Sequence, residues 1–101
     1  MGIYFQVVCK LGKHIRITAR QWEKITKDKH PVMSGREGDV EKALTEPDEI
    51  RRDLKNTSVY RYYKKFTKLY LRVVVKHLND EGFLITAFPE QKMGGELVWQ
   101  K

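Results

Sequence analysis

Seven side chains in this sequence have the chemistry to act on a phosphodiester: His30, Arg61, Tyr63, Lys65, Tyr70, Arg72 and Thr86. Cutting an RNA backbone without a metal needs three things. A base takes the 2′-hydroxyl proton, an acid protonates the departing 5′-oxygen, and cations or hydroxyls stabilise the charge on the phosphorane. Histidine, lysine, arginine, tyrosine and threonine can fill all of these roles. Each also has a plainer reading: tyrosines that pack with a wet hydroxyl, bases on a solvated strand face, a threonine that is simply a good strand former, and a histidine that ends a helix before Pro31. His14 is the substitute for His30, and His77 reads as a surface residue near a strand end.

Other chemistries find little support. His14, His30 and His77 fall on different elements, with no second ligand at helical spacing, so no metal site is expected. Glu37, Asp39 and Glu41 read as a solvated surface. Gly94-Gly95 reads as a flexible pair rather than a phosphate loop, and no Ser-His-Asp or Cys-His set is legible, so no cofactor is expected. Cys9 is the only cysteine. It can form no internal disulfide and close no cysteine zinc site, which suits a reducing cytosol, and its apolar neighbours mark it as core filler. Met1-Gly2-Ile3-Tyr4 opens without a basic leader or a long apolar stretch, so a cytoplasmic protein with no membrane partner is expected.

Charge points the same way as the seven side chains. The 101 residues carry 20 Lys and Arg against 13 Asp and Glu, a net +7. A small basic chain suits a polyanion partner, nucleic acid before membrane surface. The bland alternative is that net charge keeps small proteins soluble.

Three successive stretches must position these groups: VYRYYKKF (59–66), LYLRVVVKH (69–77) and FLITAF (83–88). Leu69, Leu71, Val73 and Val75 alternate with Tyr70, Arg72, Val74 and Lys76, the mark of a strand with one buried face. Thr67-Lys68 taken as a two-residue turn puts Tyr63 opposite Arg72 and Lys65 opposite Tyr70. Leu78 to Gly82 taken as a five-residue loop puts His77 opposite Phe83, Thr86 opposite Val74 and Phe88 opposite Arg72. Paired residues share a sheet face. The core face then holds Leu69, Leu71, Val73, Val75, Phe83, Ile85 and Ala87 with Tyr60 and Tyr62. The other holds Arg61, Tyr63, Lys65, Tyr70, Arg72, Thr86 and Phe88, with no carboxylate among them.

The rest of the chain supplies a frame. Ile3 to Lys10 and His14 to Ile17 read as an N-terminal hairpin around Gly12. Thr18 and Gln21 form a capping box for a helix running to about Lys29, with Trp22 and Ile25 inward. A second helix, about Arg36 to Glu46, buries Val40, Ala43 and Leu44. Glu49 to Arg52 is a short strand, and residues 93–101 are an edge strand or a partner-binding tail. The expected fold is a single α+β domain over 1–101, with a hairpin and two helices packed on one face of an antiparallel β-meander.

His-Pro after the first helix, Pro-Asp-Glu-Ile after the second, and the segments VYRYYKK, LYLRVVVK and FLITAF resemble the phage-type nucleases of the barnase–EndoU–colicin–RelE-like superfamily, over roughly His14 to Phe88. The resemblance implies a RelE-like α+β fold, metal-independent RNA cleavage, and often a toxin held by an antitoxin protein. It implies His30 as the helix-end histidine, Tyr63 and Lys65 on the tyrosine-rich strand, Thr86 as the last-strand hydroxyl, and Arg61 and Arg72 on phosphate. The expected function is thus a metal-independent endoribonuclease, with a toxin–antitoxin or phage-linked system as its expected setting. The alternatives are a non-catalytic RNA- or DNA-binding module and a protein-interaction component using the tail around Trp99.

Overall fold

The alternating stretches become seven β-strands and the two helical stretches two helices. The computed structural model describes residues 2–101; Met1, where the reading of the N-terminus begins, lies outside the described residues. In chain order the elements are β1 (Ile3–Val8), β2 (His14–Thr18), α1 (Ala19–Glu23), α2 (Glu37–Thr45), β3 (Glu49–Arg52), β4 (Val59–Phe66), β5 (Leu69–His77), β6 (Glu81–Glu90) and β7 (Glu96–Gln100). The first helix continues in wider turns over Lys24–Lys29, closed by a 2.6 Å bond from the His30 N–H to the Ile25 carbonyl. Thr18 caps it, its hydroxyl accepting from the Gln21 N–H at 3.1 Å. The reciprocal half of the capping box does not form, because the Gln21 side-chain amide turns away to the Ile85 carbonyl.

All seven strands belong to one sheet, in the order β1-β2-β6-β5-β4-β3-β7. The fold is α+β, but the sheet is mixed rather than a plain antiparallel meander. β2 runs parallel to β6, with Ile15 beside Gly82 and Arg16 beside Phe83. Gly82 permits this close approach: a Cβ there would lie 2.4 Å from the Lys76 carbonyl oxygen and 2.9 Å from an Ile15 methyl. Residues 96–100 form β7, hydrogen-bonded along β3.

The β4–β5 register matches the expected one, including Tyr63 opposite Arg72 and Lys65 opposite Tyr70. Between β5 and β6 only the later half matches. Thr86 faces Val74 and Phe88 faces Arg72, but His77 faces Gly82, and Lys76 rather than His77 faces Phe83. β6 starts earlier than expected and carries a bulge between Leu84 and Thr86, so Leu84 is buried while Phe83 is 38% exposed. Phe83 and Ile85 therefore leave the expected core face, and Leu84 takes their place.

That face packs under both helices. Val40, Ala43 and Leu44 of α2, with Trp22 and Ile25 of the first helical segment and Met33 of the short 3-10 turn Pro31–Met33 that follows it, join Ile15, Ile17, Tyr62, Leu71, Val73, Val75 and Ala87 in one core. Burying each Val- or Leu-sized side chain contributes about 1.5–3 kcal/mol. The sheet curls around α2 strongly enough that the Lys10 ammonium, just past β1, lies 5.4 Å from the ring of Trp99 on the opposite edge strand. Among the described residues no helix is long and apolar enough to cross a membrane.

Candidate functional site

The convex face of the sheet carries the chemistry-bearing side chains in rows set by strand pairing. One row runs Tyr63, Arg72, Phe88 across β4, β5 and β6. A second, two residues along, runs Lys65, Tyr70, Glu90, and a third, on the other side, runs Arg61, Val74, Thr86. Rows are about 7 Å apart and neighbouring strands about 4.8 Å, so these side chains share a patch the size of a few nucleotide units.

The middle row is a stack. The Arg72 guanidinium lies 5.3 Å from the Tyr63 ring centroid and 5.3 Å from that of Phe88. His30 extends the row beyond the sheet, its imidazole stacked on Phe88 at 4.7 Å between centroids and 24° between planes. It reaches there because β2 leaves β6 after Phe83, and the first helix covers the edge so exposed, anchored by Gln21 on the Ile85 carbonyl. Helix end, Pro31 and the β6 bulge together bring a histidine from the helical side to the convex side. His14 lies on β2 opposite Glu81, seven residues along β6 from Phe88 and so roughly 23 Å away.

Arg72 has no carboxylate partner among the described residues, and its Nε is buried without any hydrogen-bond partner; the Thr86 hydroxyl is in the same condition. The two residues are diagonal neighbours on β5 and β6. Buried polar groups are nearly always paired, so two orphans side by side call for an explanation.

Tyr63 is not part of an open floor. It is fully buried, because the connection from β6 to β7 crosses the convex face above it. Its hydroxyl donates to the Gly94 carbonyl at 3.2 Å and accepts the Gly94 N–H at 3.0 Å. Arg51 donates to the Gly95 carbonyl at 3.0 Å, and Arg72 comes within 3.5 Å of the Lys92 carbonyl. The strap is thus held at Tyr63, Arg51 and Arg72. Gly94-Gly95 is therefore no flexible pair. Gly95 holds φ +103°, and a Cβ on it would sit 2.7 Å from the Arg52 carbonyl oxygen.

The face also carries carboxylates, contrary to the reading of the strands alone. Glu49 lies opposite Tyr63 and binds Arg51 at 2.8 Å; Glu90 lies opposite Tyr70. Asp53 binds Arg61 at 2.7 Å. The backbone N–H groups of Asn56 and Lys55, and then the Arg61 guanidinium, hold the Asp53 carboxyl below the usual range, so it stays ionised and neutralises Arg61 locally. Arg61 is thus a partnered cation, whereas Arg72 is not. Lys65 is exposed, with its ammonium 5.6 Å from the Tyr70 ring centroid.

A second polar constellation lies on the concave side. Cys9 Sγ and the Tyr62 hydroxyl are 3.0 Å apart, and that hydroxyl and His77 Nε2 are 2.9 Å apart. Tyr60 stacks on the His77 ring at 4.0 Å. His77 is buried rather than a surface residue, because it is packed against the Tyr60 ring and bonded to Tyr62. Burial, and then the Lys13 charge, lower its pKa to about 4; burial and the contact with Cys9 raise that of Tyr62. Both groups are neutral near pH 7, and Cys9 is enclosed as a packing residue.

The chain matches no known family model, no curated protein and no solved structure. The site is therefore described by its own geometry. His30, Arg72, Thr86 and Phe88 are brought together; Lys65 and Tyr70 form the neighbouring row; Tyr63 and Arg61 lie under or beside the strap. Arg51, Asp53 and the 91–95 strap were not legible beforehand. A paired glycine five residues before a tryptophan edge strand was the only signal. No group of three or more His, Cys, Asp or Glu side chains converges as a metal-binding set among the described residues.

Proposed function

We propose that the protein is a metal-independent endoribonuclease acting on its convex sheet face. The observation that carries this reading is the Arg72 guanidinium held between two rings, without a carboxylate, beside the unpartnered Thr86 hydroxyl, with His30 at the rim. Arg72 and Thr86 hold the scissile phosphate, and Arg61 and Lys65 flank it. The 2′-oxygen attacks phosphorus as its proton passes to a base, and the P–O5′ bond breaks as an acid returns a proton to the 5′-oxygen. The products are a 2′,3′-cyclic phosphate and a 5′-hydroxyl. His30 carries one of these proton transfers, and Lys65 or Tyr70 in the neighbouring row carries the other. Tyr63 keeps the strap in place rather than meeting the substrate, because both hydrogen bonds of its hydroxyl go to Gly94. The likeness of the His-Pro, Pro-Asp-Glu-Ile and strand segments to phage-type nucleases of the barnase–EndoU–colicin–RelE-like superfamily supports the same reading. It extends it to a toxin whose basic face is covered by an acidic antitoxin protein.

Incubation of the purified protein with RNA in EDTA tests this. The expected products carry cyclic phosphate ends, and expression in cells arrests growth unless His30 is replaced by alanine. RNA left intact at protein doses far above contaminant levels removes the enzymatic reading. A second reading has its own support in the enclosure of Tyr63: a non-catalytic RNA-binding module, in which rings and cations hold a single strand uncut. Salt-dependent binding without cleavage selects it.

A further inference from the structure

The bulge in β6 does more than place Thr86. Ahead of it, Phe83 stays on the convex face, 38% exposed, an unusual position for a phenylalanine in a central strand. Its cross-strand neighbours are both cations: Lys76 on β5 and Arg16 on β2. The arrangement repeats that of the middle row, where Phe88 lies between Arg72 on β5 and His30 beyond β6. Lys76 is four residues along β5 from Arg72, about 14 Å, and the strap does not reach it, since the strap's contacts are with Arg51, Tyr63 and Arg72.

We propose that Phe83, Lys76 and Arg16 form a second binding subsite for single-stranded RNA, taking a base on the Phe83 ring and phosphate on the two cations, one or more nucleotides removed from the scissile bond. The inference rests on the proposed function, and it names where a longer substrate continues. An exposed ring flanked by cations is what a single-strand platform uses, because every base has a face to stack and every linkage a charge to neutralise. Arg16 now pairs with Glu81 at 2.7 Å, but both side chains are more than a third exposed. Such a pair is worth little and yields readily to a phosphate. The apolar ring has no packing reason to stand on this face: the core-directed positions beside it are filled by Gly82 and Leu84.

The test uses the full chain and an uncleavable 2′-O-methyl octanucleotide, with a dinucleotide for comparison, in a fluorescence binding assay. Phe83→Ala weakens octanucleotide binding about fivefold or more, Lys76→Ala weakens it and lowers its salt dependence, and both losses are larger for the octanucleotide than for the dinucleotide. Phe83→Tyr, which keeps the ring, restores binding. Octanucleotide binding unchanged in both alanine variants overturns the subsite while leaving the proposed function standing. Failure of the unaltered protein to bind the octanucleotide overturns the proposed function and the subsite with it. Because Phe83 and Lys76 are partly exposed, a circular-dichroism melt of each variant separates lost binding from lost fold.

Discussion

Tyr62 and Tyr63 are consecutive in β4, point to opposite faces and are both fully buried. The resemblance ends there. Tyr62 is enclosed by the main core and joined to Cys9, just past β1, and to His77 at the end of β5, so its polar atom is satisfied by side chains. Tyr63 is enclosed by a thin strap of backbone, and on the same face Arg72 and Thr86 keep unpartnered polar atoms. A face completed by its own residues reads as structure. A face left incomplete reads as a place for something else to bind.

The largest expected consequence is in stability. Tyr62→Ala opens a cavity in the core and strips His77 and Cys9 of a partner, and it should cost about 3–5 kcal/mol in urea unfolding. Tyr63→Ala, under a strap that can settle inward, should cost roughly half that. Equal costs would mean that the convex face is as much a core as the concave one.

Next comes pH. His77 titrates near 4 in the folded chain against about 6.5 unfolded, so the unfolded chain binds the extra proton between those values. The stability this gives is fully present above about pH 6.5, falls as pH drops through the window, and is gone below about pH 4. The loss is up to about 3 kcal/mol, lessened by solvent at the edge of the ring. Unfolding of His77→Gln across this range should show a flatter profile than that of the unaltered chain; identical profiles would remove His77 from the account.

His30→Ala should lower RNA cleavage about a hundredfold with little change in melting temperature, since His30 lies against one ring at the rim rather than within the core. A large fall in stability with a small one in cleavage would assign His30 to packing. The smallest effect concerns the strap. Tyr63→Phe removes its two bonds to Gly94 at about 1 kcal/mol, and hydrogen exchange of the 91–95 amides should quicken while β4 stays protected. Unchanged exchange would show the strap held by Arg51 and Arg72 instead.

What the sequence made legible was local. The two-residue turn at Thr67-Lys68 set the β4–β5 register; it forms despite lacking Asn-Gly, with Thr67 taking φ +55°. Thr18, Pro31 and Pro47 marked the helix ends close to where they fall. What escaped was non-local. The sheet's extra residue was placed in the loop after His77, whereas it sits in the strand as a bulge. Both give Thr86 opposite Val74, so the site row came out right while Phe83 and Leu84 exchanged faces. The bulge is held by Gln21 from a helix sixty-four residues earlier, which no periodicity reveals. Likewise the parallel entry of β2 and the crossing of 91–95 depend on strand order, and alternation of side chains says nothing about which strand lies next to which. Corrections at Tyr63, Glu49 and Asp53 all follow from that one omission.

The claim at the centre is that the incomplete convex face is where RNA binds. Amide chemical shifts of the isotope-labelled protein, followed as the 2′-O-methyl octanucleotide is added, address it directly. The largest changes should fall on Arg72, Thr86, Phe88 and His30, with Tyr62, His77 and Cys9 still. Changes confined to β1 or α2, or none at saturating oligonucleotide, would show that the orphaned atoms of Arg72 and Thr86 serve no RNA ligand.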